Sequence, residues 1–290
     1  MRKRQFGDRY DGYRVKNCDP TNAILPFLKK ERCDAHVFFD AEINLKNVET
    51  LVKERKSQGK NITLLDYIIT AMVRTISQYP EINRFVSGKR IYARNGIYIS
   101  LVIKKVFDLN SNRTLVKTGF KPESTVEDVH NIIHEIIENN KGMSTENEMD
   151  KFIKALVRLP KPLCSAIMSL LFWLDNHGLL PKYINRICPF HSSIIVTHMG
   201  SIGADPIYHQ IGNWGTNSLF VALGVKRKHA VFDNNGNLKE KRVLKIRCVA
   251  DERITDGYYL SKSLKYFSGL FLDPELLEKE PKQVFEDPQI

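Results

Sequence analysis

The 290-residue sequence predicts an α+β domain built on a mixed sheet. Three observations carry that expectation. Segments of strand-like alternation and of helical periodicity follow one another without a regular βαβ order. The last strong strand candidates flank a turn-rich stretch, Asp233-Asn-Asn-Gly-Asn237, as in a hairpin. No internal repeat and no long linker interrupts the series, so a single domain is expected.

The elements follow in order. Residues 1–35 are polar, basic and turn-rich, with Asp11-Gly12 and Asp19-Pro20 as breakers, and read as an N-terminal arm. HVFFDAEI (36–43) alternates as a strand. Leu45, Val48, Leu51 and Val52 share one face of a helix over 45–57, with Asn44 as its cap. Thr63 and Asp66 form a capping box, and the helix they open runs to Tyr79, where Pro80 ends it. Residues 90–107 read as two strands around the hairpin dipeptide Asn95-Gly96. A weaker strand follows at 115–120. A second capping box, Ser124 with Glu127, opens a helix to about Asn140, and the polar stretch 139–150 reads as a loop.

Two helical segments, 151–159 and 163–176, are separated by Pro160-Lys161-Pro162 and make up most of a helical insertion over about 151–190. Strands are expected at 192–198, 218–227 and 241–250, and a helix at 258–271. The main domain therefore covers 36–275, and 276–290 is an acidic tail expected at the surface.

Bulk composition narrows the function classes. Hydrophobic residues make up 42% and charged residues 27%, as in an ordinary globular protein. The net charge of +11 favours anionic ligands, but the basic residues are scattered in clusters no longer than Arg2-Lys3-Arg4 and Lys226-Arg227-Lys228. No nucleic-acid module contains them, and no nucleic-acid partner is expected. Five widely spaced cysteines form no CxxC pair, which suits reduced thiols in the cytoplasm, and no metal site is expected. The N-terminus has no apolar run of the secretory kind. Leu163 and Leu174 bound a run of twelve uncharged residues, too short to cross a bilayer, which takes about 20. A buried core helix is the expected reading of that run, and contact with a membrane surface the lesser one.

The chemistry-bearing residues lie near the C-terminus, in Asp251-Glu252-Arg253-Ile254-Thr255-Asp256-Gly257. This heptad resembles Asp-His-Arg-x-x-Asp-Gly, the active-site signature of CoA-dependent acyltransferases, with Glu252 where the histidine stands. Other stretches line up in order. Residues 64–103, with Tyr79-Pro-Glu-Ile-Asn83, resemble the catalytic domain of the dihydrolipoyl acyltransferases of 2-oxo-acid dehydrogenase complexes. Residues 194–211 are similar to that family's Thr/Ser-x-x-Gly-x-x-Gly strand and loop, and 218–228 to the strand that follows. Chloramphenicol acetyltransferase shares the fold.

The resemblance implies a chloramphenicol acetyltransferase-like two-layer fold, mixed sheet flanked by helices, assembled as a homotrimer with the active site in a channel between subunits. Coenzyme A or an acyl-CoA would be the co-substrate and a small molecule the acyl acceptor. Carried over by position, Thr197 is the oxyanion hydroxyl, Asp256 and Gly257 the Asp-Gly pair, and Arg253 and Asp251 the supporting residues. Glu252 takes the place of the catalytic base. His198 follows Thr197 but points to the opposite side of its strand. His191 and His209 flank the loop as other candidate bases. No lipoyl domain or lipoylation turn is found, so this chain would carry no lipoyl group and act alone.

Replacing histidine by glutamate has a calculable consequence. A thiol of pKa about 8.5 gives its proton uphill by about 2 units to a histidine and about 4 to a glutamate. The difference is roughly 3 kcal/mol, or about a hundredfold in rate. Two readings follow: Glu252 is a general base with a pKa raised by burial, or it pairs with a nearby arginine on a scaffold that binds without catalysing.

Overall fold

The computed structural model describes residues 3–104, 113–140, 148–232 and 235–290. Its main sheet has six strands in the order β2-β9-β8-β7-β5-β6. They are β2 (His36–Asn44), β5 (Ile97–Lys104), β6 (Arg113–Phe120), β7 (Ile194–His198), β8 (Leu219–Phe232) and β9 (Leu238–Asp251). β5, β7 and β8 run parallel at the centre, and β2/β9, β8/β9 and β5/β6 are antiparallel, so the sheet is mixed as expected.

The core lies between one face of this sheet and the helices α2 (Lys46–Ser57), α3 (Leu64–Gln78), α4 (Val126–Asn140) and α8 (Gly257–Gly269). Strand alternation decides what enters it. Ile194 and Val196 join the core cluster from β7, whereas Thr197 belongs to the opposite parity. α3 is buried nearly all round, and Thr70 and Thr75 there turn their hydroxyls back to the carbonyls of Asp66 and Ala71. Its Thr63/Asp66 capping box is present in both directions.

Several local expectations are corrected by packing. Asn95-Gly96 is not a hairpin turn. β4 (Arg90–Arg94) pairs with β1 (Gly12–Arg14) and β3 (Arg84–Ser87) in a separate three-stranded sheet, while β5 joins the main one. Asn95 instead bonds the N-terminal segment, through Asp11 and Tyr10 carbonyls. The box before α4 is Thr125 with Asp128, one residue later than the pair Ser124/Glu127. Both ends of the loop expected over 139–150 are helical, and 141–147 lies outside the described residues.

The two ends of the chain are more than arms. The N-terminal segment holds β1, the helix α1 (Pro20–Leu28) and the buried Arg9 and Asp11. The acidic tail wraps back on the body. Leu277 is fully buried, and Asp287 pairs with buried Arg84 at 2.5 Å.

The insertion contains α5 (Glu148–Val157), α6 (Lys161–Asn176) and α7 (Lys182–Ile187). The run 163–174 is not a core helix: in α6 only Leu171 and Asp175 are buried, and in α5 nothing is. Its apolar side faces outward because the sheet already carries its own helices on the core face. Asp175 ties α6 to the body. It accepts from Arg9 at 2.8 Å and meets His191 Nε2 at 3.1 Å, while Arg9 also holds Asp11.

Candidate active site

The turn between β9 and α8 carries the heptad. Asp251 is wholly buried and is gripped by Arg253, whose Nε and Nη2 donate to its two oxygens at 2.8 and 2.7 Å. Arg32 approaches the same carboxylate at 3.6 Å, and Arg253 Nη1 donates to the carbonyls of Lys29 and Lys30. Such a charge-assisted fork fixes orientation as well as charge. Thr255 donates to Glu81 at 2.7 Å, which joins the turn to the Tyr79-Pro-Glu-Ile-Asn83 segment. Asp256 caps α8 by accepting from the backbone N–H of Tyr259 at 2.7 Å.

Glu252 sits on this rigid turn. Its backbone N–H donates to Ala35, and its carboxylate pairs with Lys29 at 2.7 Å. Both side chains are about a third exposed. The carboxylate therefore has a cation for a neighbour rather than an apolar pocket.

Thr197 lies elsewhere. It is nearly buried on the sheet face away from the core, and its hydroxyl forms no hydrogen bond among the described residues. The loop after it is tightly held. A Cβ on Gly200 would fall 2.2 Å from the Gly224 carbonyl, and one on Gly224 2.4 Å from Pro206. These contacts explain the first glycine of the Thr-x-x-Gly-x-x-Gly pattern, and the left-handed φ of 73° at Gly203 explains the second.

The register places Thr197 beside Ala222 and Ala222 beside Arg247, five residues before Glu252. Two strand spacings and five residues of rise put Thr197 and Glu252 about 19 Å apart within one chain. Hydrogen-bond reach is about 3 Å. A single copy does not bring the two together.

The other histidines divide. His191 is fully buried on Asp175, beside Cys188, and burial, which works against its charge, is outweighed by these two partners, so its pKa is raised. His198 is held below its ordinary value by burial and by Lys226. His209 stacks on Phe220 at 4.6 Å, on the same sheet face as Thr197. On α4, His130 bonds Asp66 at 2.9 Å and Glu127 bonds Lys60 at 3.0 Å. Among the described residues no group of three His, Cys, Asp or Glu is placed to hold a metal ion.

The polar cluster of Arg9, Asp11, Asp175, His191 and Cys188 was not legible in the sequence, since its members come from three distant segments. Trp214 donates to the Cys188 sulfur at 3.3 Å within it. A separate cavity of about 580 Å³, including its open mouth, lies on the helix side of the sheet, lined by Phe39, Met72, Cys248, Leu260 and Phe267 among others. It is on the face opposite Thr197.

Residues 27–106 match the family model for the 2-oxoacid dehydrogenases acyltransferase (catalytic domain). The match contains α2, α3 and the Tyr79–Asn83 segment but neither Thr197 nor the heptad. No curated protein sequence matches the chain. Among solved structures, a probable dihydrolipoamide acetyltransferase from Listeria monocytogenes is similar over 92% of this chain and 98% of its own, with TM-score 0.56 and 16% identity. The cubic core of the pyruvate dehydrogenase multienzyme complex is similar over 89% and 88%, with TM-score 0.53 and 13% identity. A chloramphenicol acetyltransferase is similar over 87% and 94%, with TM-score 0.52 and 13% identity. The fold is that of these acyltransferases, and the family resemblance drawn from the sequence stands.

Proposed function

We propose that this chain transfers an acyl group between coenzyme A and a small acceptor, at a site completed between copies of the chain. The observation that supports this most is the unpaired Thr197 hydroxyl, held in place by a strand and a glycine-locked loop. Such a fixed donor suits a tetrahedral oxyanion. The turn that presents Glu252 is equally rigid, through Asp251 and Arg253. A homotrimer, as the resemblance implies, would set the Thr197 of one copy opposite the Glu252 of the next.

In that arrangement Glu252 takes the proton of the acceptor as its heteroatom attacks the thioester carbon. Thr197 donates to the oxyanion so formed. The carbon–sulfur bond then breaks, and the departing CoA thiolate recovers the proton from Glu252. Asp256, as the cap of α8, and the Asp251–Arg253 fork hold the turn.

One observation favours a second reading, a protein that binds acyl-CoA without turning it over. Lys29 already occupies Glu252 at 2.7 Å. Calorimetric titration with CoA and acetyl-CoA, followed by thiol-release assays of wild type, Glu252→Gln and Glu252→His, separates the two. Turnover that is lost in Glu252→Gln supports the enzyme. Binding without turnover, with activity appearing only in Glu252→His, supports the binder.

A further inference from the structure

We propose that the α5–α6 hairpin is a docking surface for an anionic phospholipid bilayer. The inference is independent of whether the chain catalyses. Residues 151–174 contain Lys151, Lys154, Arg158 and Lys161 and no Asp or Glu. The acidic residues Glu148 and Asp150 lie just outside, at the start of α5.

The apolar residues of the hairpin face outward. Ile153 and Val157 are 43% and 74% exposed on α5, and Leu163, Leu170 and Trp173 are 48%, 56% and 52% exposed on α6. On α6 the spacing of Leu163, Ala166, Leu170 and Trp173 is three, four and three residues, which makes one stripe along the helix. The opposite side of α6 is fastened to the body by Leu171 and by the Asp175–Arg9 ion pair. The stripe is therefore presented on an anchored support. Scattered exposed apolar residues need no explanation, but a contiguous apolar stripe bordered by cations does.

The neighbouring surface continues the pattern. Gly88 contacts Asn176 at the end of α6, and next to it Lys89 Nζ lies 5.5 Å from the ring of Phe27, itself half exposed on α1.

Helix length sets how the hairpin engages. At 1.5 Å per residue, α6 is about 24 Å long and α5 about 15 Å, short of the roughly 30 Å hydrocarbon core. Among the described residues no helix is long and apolar enough to cross a membrane. The hairpin lies in the interface, with apolar stripe toward acyl chains and lysines and arginine toward headgroups. The charge pattern distinguishes this occupant from a second copy of the chain. Two hairpins packed on each other would oppose four cations to four cations on chains that each carry +11.

The test is flotation of the full chain with phosphatidylcholine vesicles, with and without phosphatidylglycerol. Binding is expected only with phosphatidylglycerol, weakening as salt rises. Lys154→Ala with Arg158→Ala should reduce binding about 25-fold, at about fivefold per charge, and Leu170→Glu at least about tenfold. Should a variant fold poorly, the wild type still reports. Trp173 fluorescence should be quenched by brominated lipids, and a Trp173→Phe variant should lose that quenching while Trp214 remains. The proposal is overturned if wild type stays unbound on anionic vesicles at low salt, or if Leu170→Glu binds as wild type does. It is also overturned if light scattering shows an oligomer that Leu170→Glu dissociates, which assigns the stripe to a second copy.

Discussion

The separation of Thr197 and Glu252 gives a quantitative prediction about where the proposed reaction would take place. Within a chain they are about 19 Å apart by strand spacing and rise, several times the reach of a proton transfer. If both act on one substrate, they come from different copies. Thr197→Ala should lower turnover about 100- to 1000-fold by removing the oxyanion donor, and Glu252→Gln should abolish it. Neither variant alone contains an intact site, but an assembly formed from both does. In a cyclic assembly each site takes Thr197 from one copy and Glu252 from its neighbour. With equal random mixing, half of the copies supply an intact threonine and half an intact glutamate, so about one quarter of the sites are whole. The assay is acyl-CoA-dependent thiol release after co-expression, or after joint unfolding and refolding, against the separate variants. Recovery to about a quarter of wild-type turnover is expected. A mixture no more active than its separate components, from assemblies shown by mass spectrometry to be mixed, refutes the shared site.

Three further predictions concern the scaffold. Asp175→Ala removes the partner of both Arg9 and His191. Because Arg9 keeps Asp11 at 2.8 Å, the loss should fall near the lower end for a broken buried pair, about 3 kcal/mol in urea denaturation, and a loss below about 1 kcal/mol would contradict the assigned network. The same network sets a pH dependence. Burial, which opposes the charge on Asp175, is outweighed by His191 and Arg9, leaving its pKa at about 2 against an ordinary 3.8. Its stabilisation is complete above about pH 4 and is lost as pH falls toward 2. His191 is raised from 6.5, so its contribution is present below about pH 6.5 and lost as pH rises through the folded value. The stability difference between wild type and Asp175→Asn should therefore be largest between about pH 4 and 6.5; a difference that is flat with pH counts against the pairing. Finally, Gly200→Ala should destabilise by about 2 kcal/mol or more, since its Cβ would lie 2.2 Å from a backbone carbonyl that cannot rotate away. Thermal melting measures this, and an unchanged melting temperature would show the loop free to move.

The chain's own sequence determined the strands and helices of the main sheet and its core layer, but not β1, α1, β3 or α7. Local signals suffice there: the capping box of Thr63 and Asp66 and the alternation of residues 36–43 are each written within a few residues. It also carried the family resemblance, which the family-model match over residues 27–106 supports. Tertiary structure alone decided which strands pair, so that Asn95-Gly96 passes the chain between two sheets instead of closing a hairpin. It decided that the run 163–174 faces outward, since an apolar stretch reads the same whether or not a core has room for it. It decided that Glu252 meets Lys29, and that Arg9, Asp175 and His191 meet at all. Such contacts join residues far apart in the chain, and burial, which fixes their charge and strength, belongs to the packed molecule and not to any segment of it.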